Sequence, residues 1–143
     1  MTKQLTLLVA AVLAALGLAG TSVASSSPIV IGFEKDCPGL TCEETSNSPV
    51  DVVTEITPGS FAGGIFHYTA TETFSSVSGS VTVGLAGIVN YNAEPDFTVL
   101  HGLVMSGSWN GVQLEGAAVH AEAIRVAGTT FAGSVTILPA SAG

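Results

Sequence analysis

The sequence predicts an all-β fold, an antiparallel meander of about five long strands plus one or two N-terminal strands, closed as a small barrel or sandwich. Two observations carry that expectation. Residues Val77 to Tyr91 alternate almost without error, with Val77, Val81, Val83, Leu85, Val89 and Tyr91 on one face and Ser78, Ser80, Thr82, Ile88 and Asn90 on the other. Period two over that length marks a half-buried strand. Asn110-Gly111 is the dipeptide a type I′ hairpin turn prefers, because both central residues need positive φ.

The chain opens on a different signal. Lys3 precedes an uncharged apolar stretch from Leu5 to Gly20, and Ser22-Val23-Ala24 offers a small-x-small cleavage pattern. That layout predicts a signal peptide over 1–24 and a secreted, periplasmic or cell-envelope protein. The apolar run is short for a membrane span of ~20 residues, so no transmembrane helix is expected after its removal. Loss of Lys3 takes the formal charge from −8 to −9, leaving Lys35 and Arg125 against eleven carboxylates. Two cations cannot neutralise a run of phosphates, which excludes nucleic acid as a partner.

Residues 25–60 form an N-terminal segment with one or two short strands, from the candidates Ile29 to Phe33 and Val50 to Ile56, around an aperiodic acidic loop from Glu34 to Pro49. That loop holds the only cysteines. In an exported chain Cys37 and Cys42 predict a disulfide, which would pin a local turn.

Residues 61–140 form the antiparallel β-domain, with strands over Phe61–Phe74, Val77–Tyr91, Phe97–Trp109, Val112–Val126 and Thr129–Leu138. Gly116 to Arg125 is alanine-rich and compatible with a helix, but the registers on either side favour a strand. A turn at Asn110-Gly111 pairs Trp109 with Val112 and, counting outward, His101 with His120. A turn at Ala127-Gly128 pairs Ile124 with Phe131 and His120 with Val135. A turn at Ser75-Ser76 pairs Phe74 with Val77, Ala70 with Val81 and Tyr68 with Val83. A loop from Asn92 to Asp96 sets His101 beside Gly87. The three turn counts oppose apolar to apolar residues, the loop keeps their parity, and a one-residue slip reverses a strand's faces.

This register yields the candidate site. His101 and His120 point together into the apolar face, with Glu122 two residues along and Gly64 and Gly87 lining a hollow beside the rings. Cross-strand Cβ atoms lie ~5 Å apart, so both imidazoles can reach one ligand. Two imidazoles and a carboxylate form a donor set for zinc or iron. Wet histidines at a strand end are the structural alternative. Glu72 falls on the apolar face at the far end of the sheet, where rim exposure accounts for it, and His67 faces outward. Asn90, Asn92, Glu94 and Asp96 read as a solvated acidic turn; their spacing is not that of the twelve-residue EF-hand loop. There is no P-loop, dinucleotide fingerprint or Gly-x-Ser-x-Gly elbow.

Ile65, Ile88, Leu100, Val104, Val119, Ala121 and Ala123 gather on the outer face, either covered by the N-terminal strands or used for homo-oligomer formation. The expected function is therefore a non-catalytic exported β-domain that binds a small apolar ligand or a surface partner. The alternatives are an enzyme or metal-binding protein using the histidine pair, and a self-associating structural protein.

Overall fold

The computed structural model describes residues 27–139; the expected signal peptide, 1–24, lies outside them. The described chain is all β: β1 (Ile29–Asp36), β2 (Thr41–Glu44), β3 (Asp51–Ala62), β4 (Ile65–Ser76), β5 (Gly79–Asn90), β6 (Phe97–Trp109), β7 (Val112–Gln113), β8 (Ala118–Ala127) and β9 (Thr130–Leu138). Each strand pairs antiparallel with its neighbours, and β1 meets β9 while β5 meets β6. Eight strands thus close into an up-and-down barrel in the order β1-β2-β3-β4-β5-β6-β8-β9, with the short β7 appended to β6. Closure removes exposed sheet edges, the usual liability of an all-β chain. No helix among the described residues is long and apolar enough to cross a membrane.

The N-terminal strands are staves of this barrel. The predicted loop from Glu34 to Pro49 is ordered for part of its length, since β1 runs on to Asp36 and β2 occupies Thr41–Glu44. The expected strand Phe61–Phe74 is divided at Gly63-Gly64, the turn between β3 and β4.

The interior follows the alternation. Tyr68, Ala70 and Phe74 of β4 and Val81, Val83, Leu85 and Val89 of β5 point inward, as their periodicity predicts. The register between these strands differs from the expected one: Phe74 pairs with Val81, Ala70 with Leu85 and Tyr68 with Gly87. The turn lies at Val77-Ser78 instead of Ser75-Ser76, a slip of four residues. An even slip leaves every side chain on its face, so it does not change what is buried.

On β6 and β8 the expected faces are reversed. Leu100, Val104, Val119, Ala121 and Ala123, assigned to the outer face, are buried inside the barrel, while Leu103, Met105 and Ile124 are exposed. The cause is a pair of irregularities. Thr82 pairs with Ser106 but Val83 pairs with Val104, so Met105 bulges out of the ladder. Gly107, with φ +116°, supplies a backbone conformation that a side chain would resist. Across from it the predicted strand Val112–Val126 is interrupted between Gln113 and Ala118, where Ala117 N–H donates to the Leu114 carbonyl. Each strand therefore changes phase once within the same interval. Trp109 still pairs with Val112 and His101 with His120, but everything beyond the bulge has turned over.

Two further registers slip by one. His101 pairs with Ala86 on β5, and Gly87 with Leu100. On the other side His120 pairs with Thr136, and Ala121 with Val135, because the turn is Gly128-Thr129 and the ladder shifts between Arg125 and Ala127.

The two ends of the lumen differ. Phe33, Val52, Phe74, Trp109 and Leu114 fill one half, with the Phe33 and Phe74 ring centroids 5.6 Å apart. The other half, under the Cys37–Cys42 loop and the β3–β4, β5–β6 and β8–β9 turns, is open.

Candidate functional site

The histidine pair is formed, on the outside of the barrel. The His101 and His120 ring centroids are 4.6 Å apart with Nδ1 atoms 3.3 Å from each other, and His120 Nε2 lies 3.1 Å from Glu122 Oε2. The side chains of His120 and Glu122 are 40% and 61% exposed. The inward orientation expected of this pair is thus corrected by the β6 and β8 phase changes. His120 uses its two ring nitrogens in opposite directions, one toward His101 and one toward Glu122, so the three groups do not converge on a point. Among the described residues no cluster of three histidine, cysteine or carboxylate side chains could hold a metal ion.

Gly64 and Gly87 are crowded positions. A Cβ on Gly87 would lie 2.0 Å from the Val99 carbonyl, and one on Gly64 would lie 2.2 Å from Asn92 Oδ1. Gly87 allows two strands to cross closely, and Gly64 makes room for Asn92, whose amide donates to the Gly63 carbonyl. Two of the acidic turn's side chains are likewise engaged within the fold. Asn90 Oδ1 accepts from the Asn92 N–H, and Asp96 accepts from Arg125. His67 is exposed, as expected.

The concave site lies in the open half of the lumen. It is a cavity of about 320 Å³, walled by Ile56, Phe66, Tyr68, Val89 and Phe131 and rimmed by Pro38, Gly39, Leu40, Tyr91, Arg125 and Thr129. That volume corresponds to roughly ten waters at ~30 Å³ each, enough for a small organic molecule. The rim loop is fixed by the predicted disulfide between Cys37 and Cys42.

Polar groups enter this apolar space at two points. Lys35, 6% exposed, donates from Nζ to Thr54 Oγ1 at 3.0 Å and forms an ion pair with Glu72 Oε2. Thr54 Oγ1 donates to the same carboxylate oxygen at 2.9 Å. Lys35 and Thr54 line the cavity; Glu72, 1% exposed, stands behind them. The rim position expected for Glu72 is therefore overturned. β1 continues its inward phase through Ile31, Phe33 and Lys35, which brings an ammonium to the carboxylate and makes its burial tolerable. Glu72 Oε1 is left without a hydrogen-bond partner.

At the second point the Thr98 hydroxyl donates to the Ile88 carbonyl, so the Tyr68 O–H must donate to Thr98 Oγ1 at 2.5 Å. Burial is the main cause that pushes the Tyr68 phenol up to about 12, with the Glu72 charge adding to it and the Thr98 hydrogen bond opposing it. Tyr68 stays protonated at any ordinary pH and leaves its oxygen lone pairs available to the cavity.

At the mouth the Arg125 guanidinium lies over the Tyr91 and Phe131 rings, 5.8 and 5.2 Å from their centroids. Its Nε and Nη2 hold Asp96 at 2.8 and 2.7 Å, and Nη1 donates to the Gly128 carbonyl. Alternation could have located this site: Lys35 and Glu72 are opposite charges in the inward phase of two different strands. In comparisons with known proteins, no family model, no curated protein and no solved structure matches this chain.

Proposed function

We propose that this protein is an exported, non-catalytic carrier or binding barrel that takes a small, largely apolar molecule into the open half of its lumen. The observation that carries the reading is the cavity of about 320 Å³, which has aromatic and aliphatic walls and few polar groups. A space of that kind, walled on the inner face of a rigid sheet, holds a ligand by burial of apolar area and orients it by a few hydrogen bonds. Export is supported by the leader-like residues 1–24 and by the disulfide, which suits an oxidising compartment.

Native mass spectrometry of freshly purified protein tests this reading together with titration of N-phenyl-naphthylamine, a neutral fluorophore that brightens in apolar sites. One equivalent of bound small molecule or fluorophore is expected, lost when Val89→Trp fills the cavity. The absence of both a retained mass and saturable fluorescence would end the proposal.

A second reading, self-association, is favoured by one observation. Leu103, Met105 and Ile124 are 56%, 57% and 47% exposed on the outer faces of β6 and β8. Light scattering behind size-exclusion chromatography decides it, since a strict monomer at high concentration removes it.

A further inference from the structure

The cavity's polar groups restrict the chemistry of what can enter, beyond its being apolar. Lys35 and Arg125 are the only cations among the described residues, and both border the cavity in a chain of formal charge −8. That placement invites an anionic ligand, but neither charge is free. Lys35 is balanced by Glu72 and Arg125 by Asp96. Each Arg125 nitrogen meets Asp96 or the Gly128 carbonyl, and the two N–H groups left over stand at the mouth, away from the buried end of the cavity.

What remains free is hydrogen-bonding capacity. An ammonium has three N–H donors, and Lys35 uses one on Thr54 and one on Glu72. Thr54 Oγ1 accepts from Lys35 and donates to Glu72, which leaves it one lone pair. Tyr68, its proton given to Thr98, offers a second acceptor. The buried end of the cavity thus presents one donor and neighbouring acceptors with no net charge.

Resting on the binding reading above, we propose that the ligand is neutral and carries a hydroxyl on an apolar body, the hydroxyl docking against Lys35 and Thr54. A hydroxyl accepts from the ammonium and donates to an oxygen, so it satisfies both free groups at once. A carboxylate can only accept, and it adds a second negative charge beside the buried Glu72. An alkylammonium can only donate, and it adds a second positive charge beside Lys35. Either leaves an uncompensated charge in a low-dielectric site. The apolar body lies along Ile56, Phe66, Val89 and Phe131 toward the mouth.

The test is displacement of N-phenyl-naphthylamine from the purified protein by decanol, decanoate and decylamine, which share one apolar chain. Decanol is expected to displace at a concentration about tenfold or more below either charged analogue, a hydrogen-bond-sized preference. Glu72→Gln leaves Lys35 uncompensated, so in that variant decanoate is expected to gain about tenfold on decanol. Circular dichroism checks that the variant folds. If it does not, Lys35→Met with Glu72→Met removes the charges together, and decanol binding is expected to weaken about tenfold while the fluorophore still binds. Decanoate matching or exceeding decanol on the unmodified protein overturns the proposal but leaves the binding reading standing. Failure of the fluorophore to bind at all overturns both.

Discussion

The Lys35 ammonium and the Glu72 carboxylate meet inside the barrel although their strands, β1 and β4, are separated by β2 and β3. The pair joins the N-terminal staves to the central meander through the lumen, with Thr54 of β3 hydrogen-bonded to both. It also divides the interior, packed on one side and open on the other.

Removing one partner should be worse than removing both. Lys35→Met strands a buried carboxylate whose Oε1 already lacks a partner, and a loss of about 3–5 kcal/mol is expected. The double variant with Glu72→Met replaces the pair with apolar volume and should recover most of that loss. Urea unfolding of the three proteins measures both. A single variant as stable as the double would show that the pair carries no structural weight.

The bulge at Met105 makes a second prediction. Gly107 has φ +116°, and a Cβ there would stand 2.2 Å from the Ser80 carbonyl. Gly107→Ala should therefore cost about 2 kcal/mol or more, through backbone strain and displacement of β5. An unchanged urea midpoint would mean that the phase change in β6 does not need this conformation.

That bulge also explains what could and could not be read from the residues. Alternation in β4, β5 and β9 identified inward residues correctly, and the Asn110-Gly111 corner, with φ of 51° and 78°, set His101 against His120. The outward direction of those rings was hidden, because a bulged residue reads as one more step of alternation. Met105 is apolar and fits either face. The four-residue slip between β4 and β5 was hidden for the opposite reason. The run Phe74-Ser75-Ser76-Val77-Ser78-Gly79 accommodates a turn at several positions, and an even slip costs no burial. A first strand that ends at Phe33 leaves Lys35 out, and without it Glu72 reads as a rim charge.

The disulfide makes a third prediction, a modest one. Cys37 and Cys42 are five residues apart, and closing so short a loop restricts the unfolded chain little, by on the order of 2 kcal/mol. Reduction, or Cys37→Ser with Cys42→Ser, should lower stability by about that amount and leave the barrel's circular dichroism intact. Pro38, Gly39 and Leu40 lie within the bridged loop and on the cavity rim, so faster release of a bound fluorophore is expected as well. Loss of the whole barrel on reduction would contradict the placement of this bridge at the mouth.

Tyr68 makes the last prediction, a dependence of stability on alkaline pH. Its phenol is pushed up to about 12 in the folded protein, from 10.0, chiefly by burial. The folded state therefore holds this proton over a range in which the unfolded chain has released it. Where the unfolded state binds fewer protons, stability falls as pH rises. The contribution is complete below pH ~10 and is lost between about 10 and 12, with a slope of about 1.4 kcal/mol per pH unit at most. Urea midpoints across that range should fall more steeply for the unmodified protein than for Tyr68→Phe, which has no phenolic proton there to hold. Parallel slopes for the two would show that the buried phenol is not what couples folding to alkali.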